Sequence, residues 1–354
     1  MRLPSIPRKA LSIDFGSKEI KVIEGKYSKN NIQIFKAITI PIESYFYKNG
    51  EILNKDVLST LIIDALKDNK ISTDSVYAII NSSNIITREI TIPKVSKDEI
   101  DSIIKYQLDD FFPVSPEEYI INHLIIGNRI EDEVEKINIL LIGIPKDMIE
   151  SHFELIKNIG LKPQVLDYQS NSMAKLLGFN ERVNGLYNTR DLVLASIDIG
   201  YNSSKLAIIK NGNIEVSRII DIGAELLYED LGEFFDCSLN EMEQKIEEIE
   251  DISIYKEEYT EYYRLVNIVK NIFINLMEKI EMIFRYYITR DSSNIINFIV
   301  LEGGLSNING VDNLFSNYFN IPAIKLLSLD KIKWDGDLSK FSNAIGGLIR
   351  FDKV

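Results

Sequence analysis

Two hydrophobic periods take turns along the chain. Leu11-Ser12-Ile13-Asp14-Phe15 reads as a buried strand, and Ile20 to Tyr27 and Ile32 to Ile40 alternate as two antiparallel strands around Ser28-Lys29-Asn30-Asn31. From Lys55 to Lys67 the helical period takes over, with Val57, Leu58, Leu61, Ile62, Ala65 and Leu66 on one face. Val76-Tyr77-Ala78-Ile79-Ile80 then reads as a buried strand. The second half repeats this order, with a strand over 192–199, a turn at Gly200, a strand over 204–210, the Asn211-Gly212 turn and a strand over 214–220. An acidic helical stretch from Leu226 to Tyr255 follows. A long helix over 256–288 then carries Leu265, Val269, Ile272, Leu276, Ile280, Ile283 and Tyr287 at helical spacing. An apolar strand from Phe298, a short amphipathic helix over Val311–Phe319, an edge strand over Ile321–Ile324 and a closing helix of small residues over 342–350 complete the pattern.

Between 85 and 159 lies a stretch that a minimal lobe does not need. Pro93 ends a strand, Ser96 and Glu99 have capping-box spacing, and Ile100, Ile103, Ile104, Leu108 and Phe111 form one helical stripe. Strands over 119–126 and 136–144 and a helix over Lys146–Asn158, stopped by Gly160, follow. The expectation is an α/β protein of two lobes: the first over 1–84 and 160–189, interrupted by an α+β insert at 85–159, and the second over 190–354 with a helical outer part at about 225–290.

The length of 354 residues supports two lobes, because one core seldom grows that large. A net charge of −13 argues against a nucleic-acid partner, whose phosphates need a basic face. One cysteine, Cys237, forms no internal disulfide and fits a reducing compartment, and the two histidines, His123 and His152, stand apart from any zinc ligands. The N-terminal stretch lacks a signal-type apolar core, and no stretch approaches about 18 uninterrupted apolar residues. A cytosolic protein is expected.

The candidate chemistry lies at three turns. In Asp14-Phe15-Gly16-Ser17-Lys18, the carboxylate suits a metal ion or its water shell. Gly16 and Ser17 let backbone N–H groups close on phosphate oxygens, and Lys18 and Lys21 add positive charge. The same Asp-x-Gly pattern returns at Asp198-Ile199-Gly200-Tyr201-Asn202, while Phe298-Ile299-Val300-Leu301-Glu302 ends in Gly303-Gly304, where bare backbone can lie against a flat adenosine. Taken singly, each Asp-x-Gly also makes an ordinary β-turn.

The order Asp-x-Gly, Asp-x-Gly, Gly-Gly resembles the actin-like nucleotide-binding superfamily from end to end. Arg88-Glu89-Ile90-Thr91-Ile92-Pro93, Phe111-Phe112-Pro113-Val114-Ser115-Pro116-Glu117-Glu118-Tyr119 and Gly160-Leu161-Lys162-Pro163-Gln164-Val165-Leu166-Asp167 narrow that resemblance to the PilM family of type IV pilus assembly. It implies an actin-like two-lobed fold with a small α+β insert in the first lobe, ATP with Mg²⁺ near Asp14 and Asp198, and a phosphate cradle of Gly16, Ser17, Lys18, Lys21, Gly200, Tyr201 and Asn202. It also implies adenosine over Gly303 and Gly304, and a ribose contact from Glu243, although Ile246 stands where the family has a lysine. The partner it implies is the N-terminal cytosolic tail of a PilN-like membrane protein, bound between the first lobe and the insert, which would hold the protein at the inner face of the membrane. Phe111 and Phe112, adjacent at a helix end, are the candidate partner contacts, because neighbouring helical side chains diverge by about 100° and one ring is expected to stay exposed. The FtsA-like and small-molecule kinase readings of the superfamily remain open alternatives. The connector Asp167-Tyr168-Gln169-Ser170 offers only weak catalytic candidates, so slow or absent ATP turnover is expected.

Overall fold

A computed structural model describes residues 9–112, 115–131, 134–254 and 260–350. The first lobe begins with the meander β1 (Ala10–Phe15), β2 (Glu19–Tyr27) and β3 (Ile32–Pro41), a short ribbon of β4 (Tyr47–Lys48) and β5 (Glu51–Ile52), helix α1 (Lys55–Asp68) and strand β6 (Ser75–Ile80). All six residues of β1 are buried, as a central strand covered on both faces requires. Asn54 caps α1 by accepting from the Val57 N–H at 3.2 Å.

The insert consists of β7 (Ile86–Pro93), α2 (Lys97–Tyr106), α3 (Leu108–Phe111), β8 (Tyr119–Glu131) and β9 (Val134–Pro145), with the sheet in the order β7-β9-β8. The capping box at Ser96 and Glu99 forms as the spacing predicts. Both long strands extend further than the apolar runs suggested, because two antiparallel strands can zip past the buried stretch into solvent. Helix α4 (Lys146–Asn158) and strand β10 (Lys162–Tyr168) return the chain to the first lobe, and α5 (Gln169–Phe179) and the ribbon β11 (Arg182–Val183) and β12 (Tyr187–Asn188) lead out of it.

The second lobe repeats the plan with β13 (Val193–Ile199), β14 (Ser204–Lys210) and β15 (Asn213–Ile220). Its outer part has α6 (Ala224–Phe234), α7 (Leu239–Glu247) and the long α8 (Glu261–Arg290), whose N-cap is Thr260; the expected start at 256 falls outside the described residues. Strand β16 (Phe298–Glu302), helix α9 (Val311–Phe319), strand β17 (Ala323–Lys325) and helix α10 (Leu338–Gly347) end the chain.

The two large sheets run β3-β2-β1-β6-β10 and β15-β14-β13-β16-β17, the same order, each with an antiparallel meander followed by two parallel neighbours. Helix α10, last in sequence, packs back on the first lobe, where Leu338, Phe341, Ala344 and Ile345 join that lobe's core. Gly346 and Gly347 lie so close to the Ser172 carbonyl and to Ile79 that neither position has room for a Cβ. The insert is braced against the second lobe: the Arg218 guanidinium grips Glu89 through two bonds of 2.9 and 3.0 Å, and Thr87 donates to the Ser217 carbonyl at 2.8 Å.

Of the two adjacent rings, Phe112 is one that turns inward. It is only 5% exposed, packs in the insert's own core and lies against Gly143 and Tyr119. Gly143, with no side chain, leaves the space that the ring fills. Phe111 ends α3, and its side chain lies outside the described residues.

Candidate functional site

Between the lobes lies a cleft of about 510 Å³. Its walls hold Gly16, Ser17, Lys18 and Lys21 from the first hairpin and Asp198, Gly200, Tyr201 and Asn202 from the second. Glu243, Gly303 and Gly304 line it as well, so residues from four separate stretches meet there. Asp14 sits behind this wall, 1% exposed.

The first hairpin brings Asp14 on β1 opposite Lys21 on β2, seven residues on. The second repeats this with Asp198 and Lys205. Lys205 is not among the expected site residues, although the spacing within the repeated pattern marks it as the counterpart of Lys21. At Gly16 a Cβ would come within 2.7 Å of the Glu19 carbonyl, and at Gly200 within 2.9 Å of the Ser203 carbonyl. Both turns therefore need glycine. Gly303 has φ +85°, in the left-handed region, and its Cα faces the Ile199 backbone; Gly304 faces open space.

Asp14 Oδ1 accepts from Gln169 Nε2 at 2.7 Å, while Asp14 Oδ2 is buried with no hydrogen-bond partner. Burial pushes the Asp14 carboxyl above its ordinary range, against the opposing pull of Lys21. Burial alone would lower the Lys21 ammonium, but Asp14 and Glu19 outweigh it and hold the group above its usual value. Glu19 is itself held by Lys340 Nζ at 2.9 Å. Across the cleft, Asp198 Oδ2 accepts from Asn343 Nδ2 at 3.0 Å and lies 3.7 Å from Lys205 Nζ.

Behind Asp198 stands Glu302, which is not among the site residues expected from the motifs. It is buried, accepts from Ser196 Oγ at 2.6 Å and from Ser342 Oγ, and is pushed up to about 8 by burial and by Asp198. An acid ending an otherwise apolar strand just before Gly-Gly was the signal available.

Tyr201 and Asn202 lie on a turn tied into the start of α6: Ala224 N–H donates to the Gly200 carbonyl at 3.0 Å and Glu225 N–H to the Tyr201 carbonyl at 2.8 Å. Asn202 Nδ2 donates to Glu225 Oε2 at 2.5 Å. Glu243 pairs with Lys18 across the cleft and accepts from Tyr228 OH at 3.4 Å. Burial, then Glu243, raises the Tyr228 phenol well above its ordinary range.

In the connector, Tyr168 takes the cap position of α5 and Asp167 precedes it. The Asp167 carboxylate is engaged by Lys175 Nζ at 2.6 Å and Arg350 Nη1 at 3.5 Å. Burial would raise it, but these cations win and lower it. Gln169 is the connector residue that reaches the cleft, and its Oε1 is buried without a partner. Among the described residues, no group of three or more His, Cys, Asp or Glu side chains could hold a metal ion by itself.

The profile of the type IV pilus assembly protein PilM family matches residues 12–339. Among solved structures, the chain is similar to one described as the PilM-PilN type IV pilus biogenesis complex, with a TM-score of 0.78 and 16% identity over 98% of each chain. It is similar to the ethanolamine utilization protein EutJ from Carboxydothermus hydrogenoformans, with a TM-score of 0.54 and 12% identity over 98% of this chain and 90% of that one. It is also similar to MreB 5 of Spiroplasma citri bound to AMPPNP, with a TM-score of 0.53 and 13% identity over 96% and 94%. These likenesses show an actin-like fold of two lobes. With the profile spanning nearly the whole sequence, the chain belongs to the type IV pilus assembly protein PilM family.

Proposed function

We propose that this protein is a nucleotide-dependent scaffold of type IV pilus assembly, binding ATP with Mg²⁺ in the interlobe cleft and docking the N-terminal tail of a PilN-like inner-membrane protein. The observation that carries the nucleotide part is the duplicated cross-strand pair, Asp14 with Lys21 and Asp198 with Lys205, at two glycine turns facing one cleft. Asp14 Oδ2, buried and without a partner, suits the water shell of Mg²⁺, which keeps its waters and needs few carboxylates. Asp14 and Asp198 would hold the ion, which when bound neutralises phosphate charge. Lys21 and Lys205 add their own charge, Gly16 and Gly200 let backbone approach the phosphates, and Gly303 and Gly304 leave room for adenosine.

Turnover is slow in this reading. Asp167 is committed to Lys175 and Arg350, and the Gln169 amide nitrogen is committed to Asp14, which leaves only its Oε1 to orient a water. A phosphate-release assay on the isolated protein is expected to stay well below about 1 per second; several turnovers per second would favour an enzyme instead.

For the partner, the support is the solved complex, whose description pairs PilM with PilN, together with the rim of the insert. Strand β8 is the edge of its sheet, and Ile120 and Leu124 are 43% and 40% exposed on it. Their cross-strand partners are Ile144 and Leu140, and Leu140 is buried in the large core that holds the first lobe's strands and part of the second lobe's, so this face of the insert looks toward that core. An edge strand with exposed apolar side chains suits an extended apolar tail, which can add as a further strand. Among the described residues, no helix is long and apolar enough to cross a membrane, so attachment would come through the partner. The test is titration of the partner's N-terminal peptide into Ile120→Asp and Leu124→Asp. Each is expected to weaken binding about tenfold or more, as loss of a buried anchor does, and wild-type affinity in both would remove this placement.

A further inference from the structure

Two ion pairs join the lobes at the cleft, one among its lining residues and one beside it. Lys18, in the turn between β1 and β2, holds Oε1 of Glu243 on α7, and Lys48 on β4 holds Oε1 of Glu225 on α6 at 3.0 Å. In both pairs the first lobe supplies the lysine and the second lobe the carboxylate. The lysines stand on the rim, with side chains 41% and 50% exposed, whereas those of Lys21 and Lys205 are 18% and 11% exposed, deeper in the site.

Each carboxylate is also fixed from its own lobe. Tyr228 OH reaches the same Glu243 oxygen as Lys18, and the Lys18 ammonium lies 5.7 and 5.2 Å from the ring centres of Tyr201 and Tyr228. Glu225 is held on its other oxygen by Asn202. Moving Lys18 onto a phosphate would leave Glu243 without its cation beside a polyanion, which Coulomb repulsion disfavours.

We infer that Lys18 with Glu243 and Lys48 with Glu225 form a two-point clasp that holds the lobes together over the cleft. Lys18 is then a positioning residue of this clasp and not a ligand of the phosphate groups. The inference deepens the nucleotide reading of the cleft, and its first test does not depend on it.

In that test, nitroxide labels at Asn30→Cys and Asn240→Cys, in a Cys237→Ser background of the full chain, report the interlobe distance by electron–electron resonance without nucleotide. The pair of reversals Lys18→Glu and Lys48→Glu is expected to lengthen and broaden the distance distribution, and adding Glu225→Lys and Glu243→Lys to restore it. An unchanged distribution in the first variant, or no restoration in the second, overturns the clasp.

A second test measures dissociation of fluorescent ATP and ADP from Lys18→Ala. Because the pair is partly exposed, both rates are expected to rise by the same factor, roughly three- to fivefold. A selective loss of ATP would make Lys18 a phosphate ligand and overturn its assignment. Failure of the unmodified protein to bind either nucleotide would count against the nucleotide reading of the cleft, while the distances would still decide the clasp.

Discussion

In register with Asp14, on the parallel strand beside it, the first lobe carries Ile79; in register with Asp198, the second lobe carries Glu302. Around this one exchange the neighbours differ. Ser196, two residues before Asp198, donates to Glu302, whereas Ser12, two residues before Asp14, has a buried hydroxyl with no partner. Asn343 from α10 reaches Asp198, and Gln169 from α5 reaches Asp14, so each carboxylate is steadied by an amide from a helix packed between the lobes. The duplicated backbone thus holds two different carboxylate environments. One carboxylate keeps an unpartnered oxygen, and the other has a second acid behind it.

The largest effect should come from breaking the aspartates themselves. Asp14→Ala removes a carboxylate whose charge burial disfavours and leaves Glu19 beside Lys21, so denaturant unfolding is expected to show a change of no more than about 1 kcal/mol. Calorimetry should show Mg–ATP affinity falling by about 100-fold for Asp14→Ala and about tenfold for Asp198→Ala, the range found when groups that orient a metal's shell are lost. Equal losses would dissolve the distinction between the two halves, and unchanged affinity in both would remove the site assignment.

Next come two titrations, one per lobe, with opposite slopes. His152, buried in the first lobe and held by Tyr47 OH at 3.1 Å and the Met148 carbonyl at 2.7 Å, is lowered from its ordinary 6.5 to about 4 by burial. The unfolded chain takes up this proton first, so the stability is full above pH 6.5 and about 3 kcal/mol of it is lost as pH falls to 4. Glu302 is raised from 4.5 to about 8, so the folded state holds a proton that the unfolded chain gives up, and its contribution is full below pH 4.5 and lost as pH rises to 8. Melting temperatures against pH should show Glu302→Gln flattening the fall between pH 4.5 and 8 while leaving the acid limb in place. An unaltered profile would mean that Glu302 titrates as an ordinary carboxylate.

The smallest effect separates the two serines. Ser196→Ala withdraws a donor from a buried carboxyl and is expected to cost about 1 to 2 kcal/mol, whereas Ser12→Ala removes an unpaired hydroxyl and should be neutral or slightly stabilising. Chemical denaturation of the two variants side by side decides this, and similar losses would mean that the serines do the same work in both halves.

The parts of this protein legible in its sequence are those made by short-range geometry. A meander with an Asp-x-Gly turn needs only alternation, a glycine where a Cβ would strike a carbonyl, and a lysine seven residues on that lands opposite the aspartate. The same rules make the capping box at Ser96 and Glu99 and the repeated order of elements readable. Tertiary structure decided which side chains come to those turns from far along the chain: Gln169 to Asp14, Asn343 to Asp198, Ser342 to Glu302 and Lys18 to Glu243. It also turned Phe112 inward, because the space for the ring is made by Gly143 on a strand about thirty residues away. Local pattern sets which face of an element is apolar, but it carries no information about which distant element will cover that face. That choice is made when the helices α5 and α10 close against both sheets and bury polar groups that must then find each other.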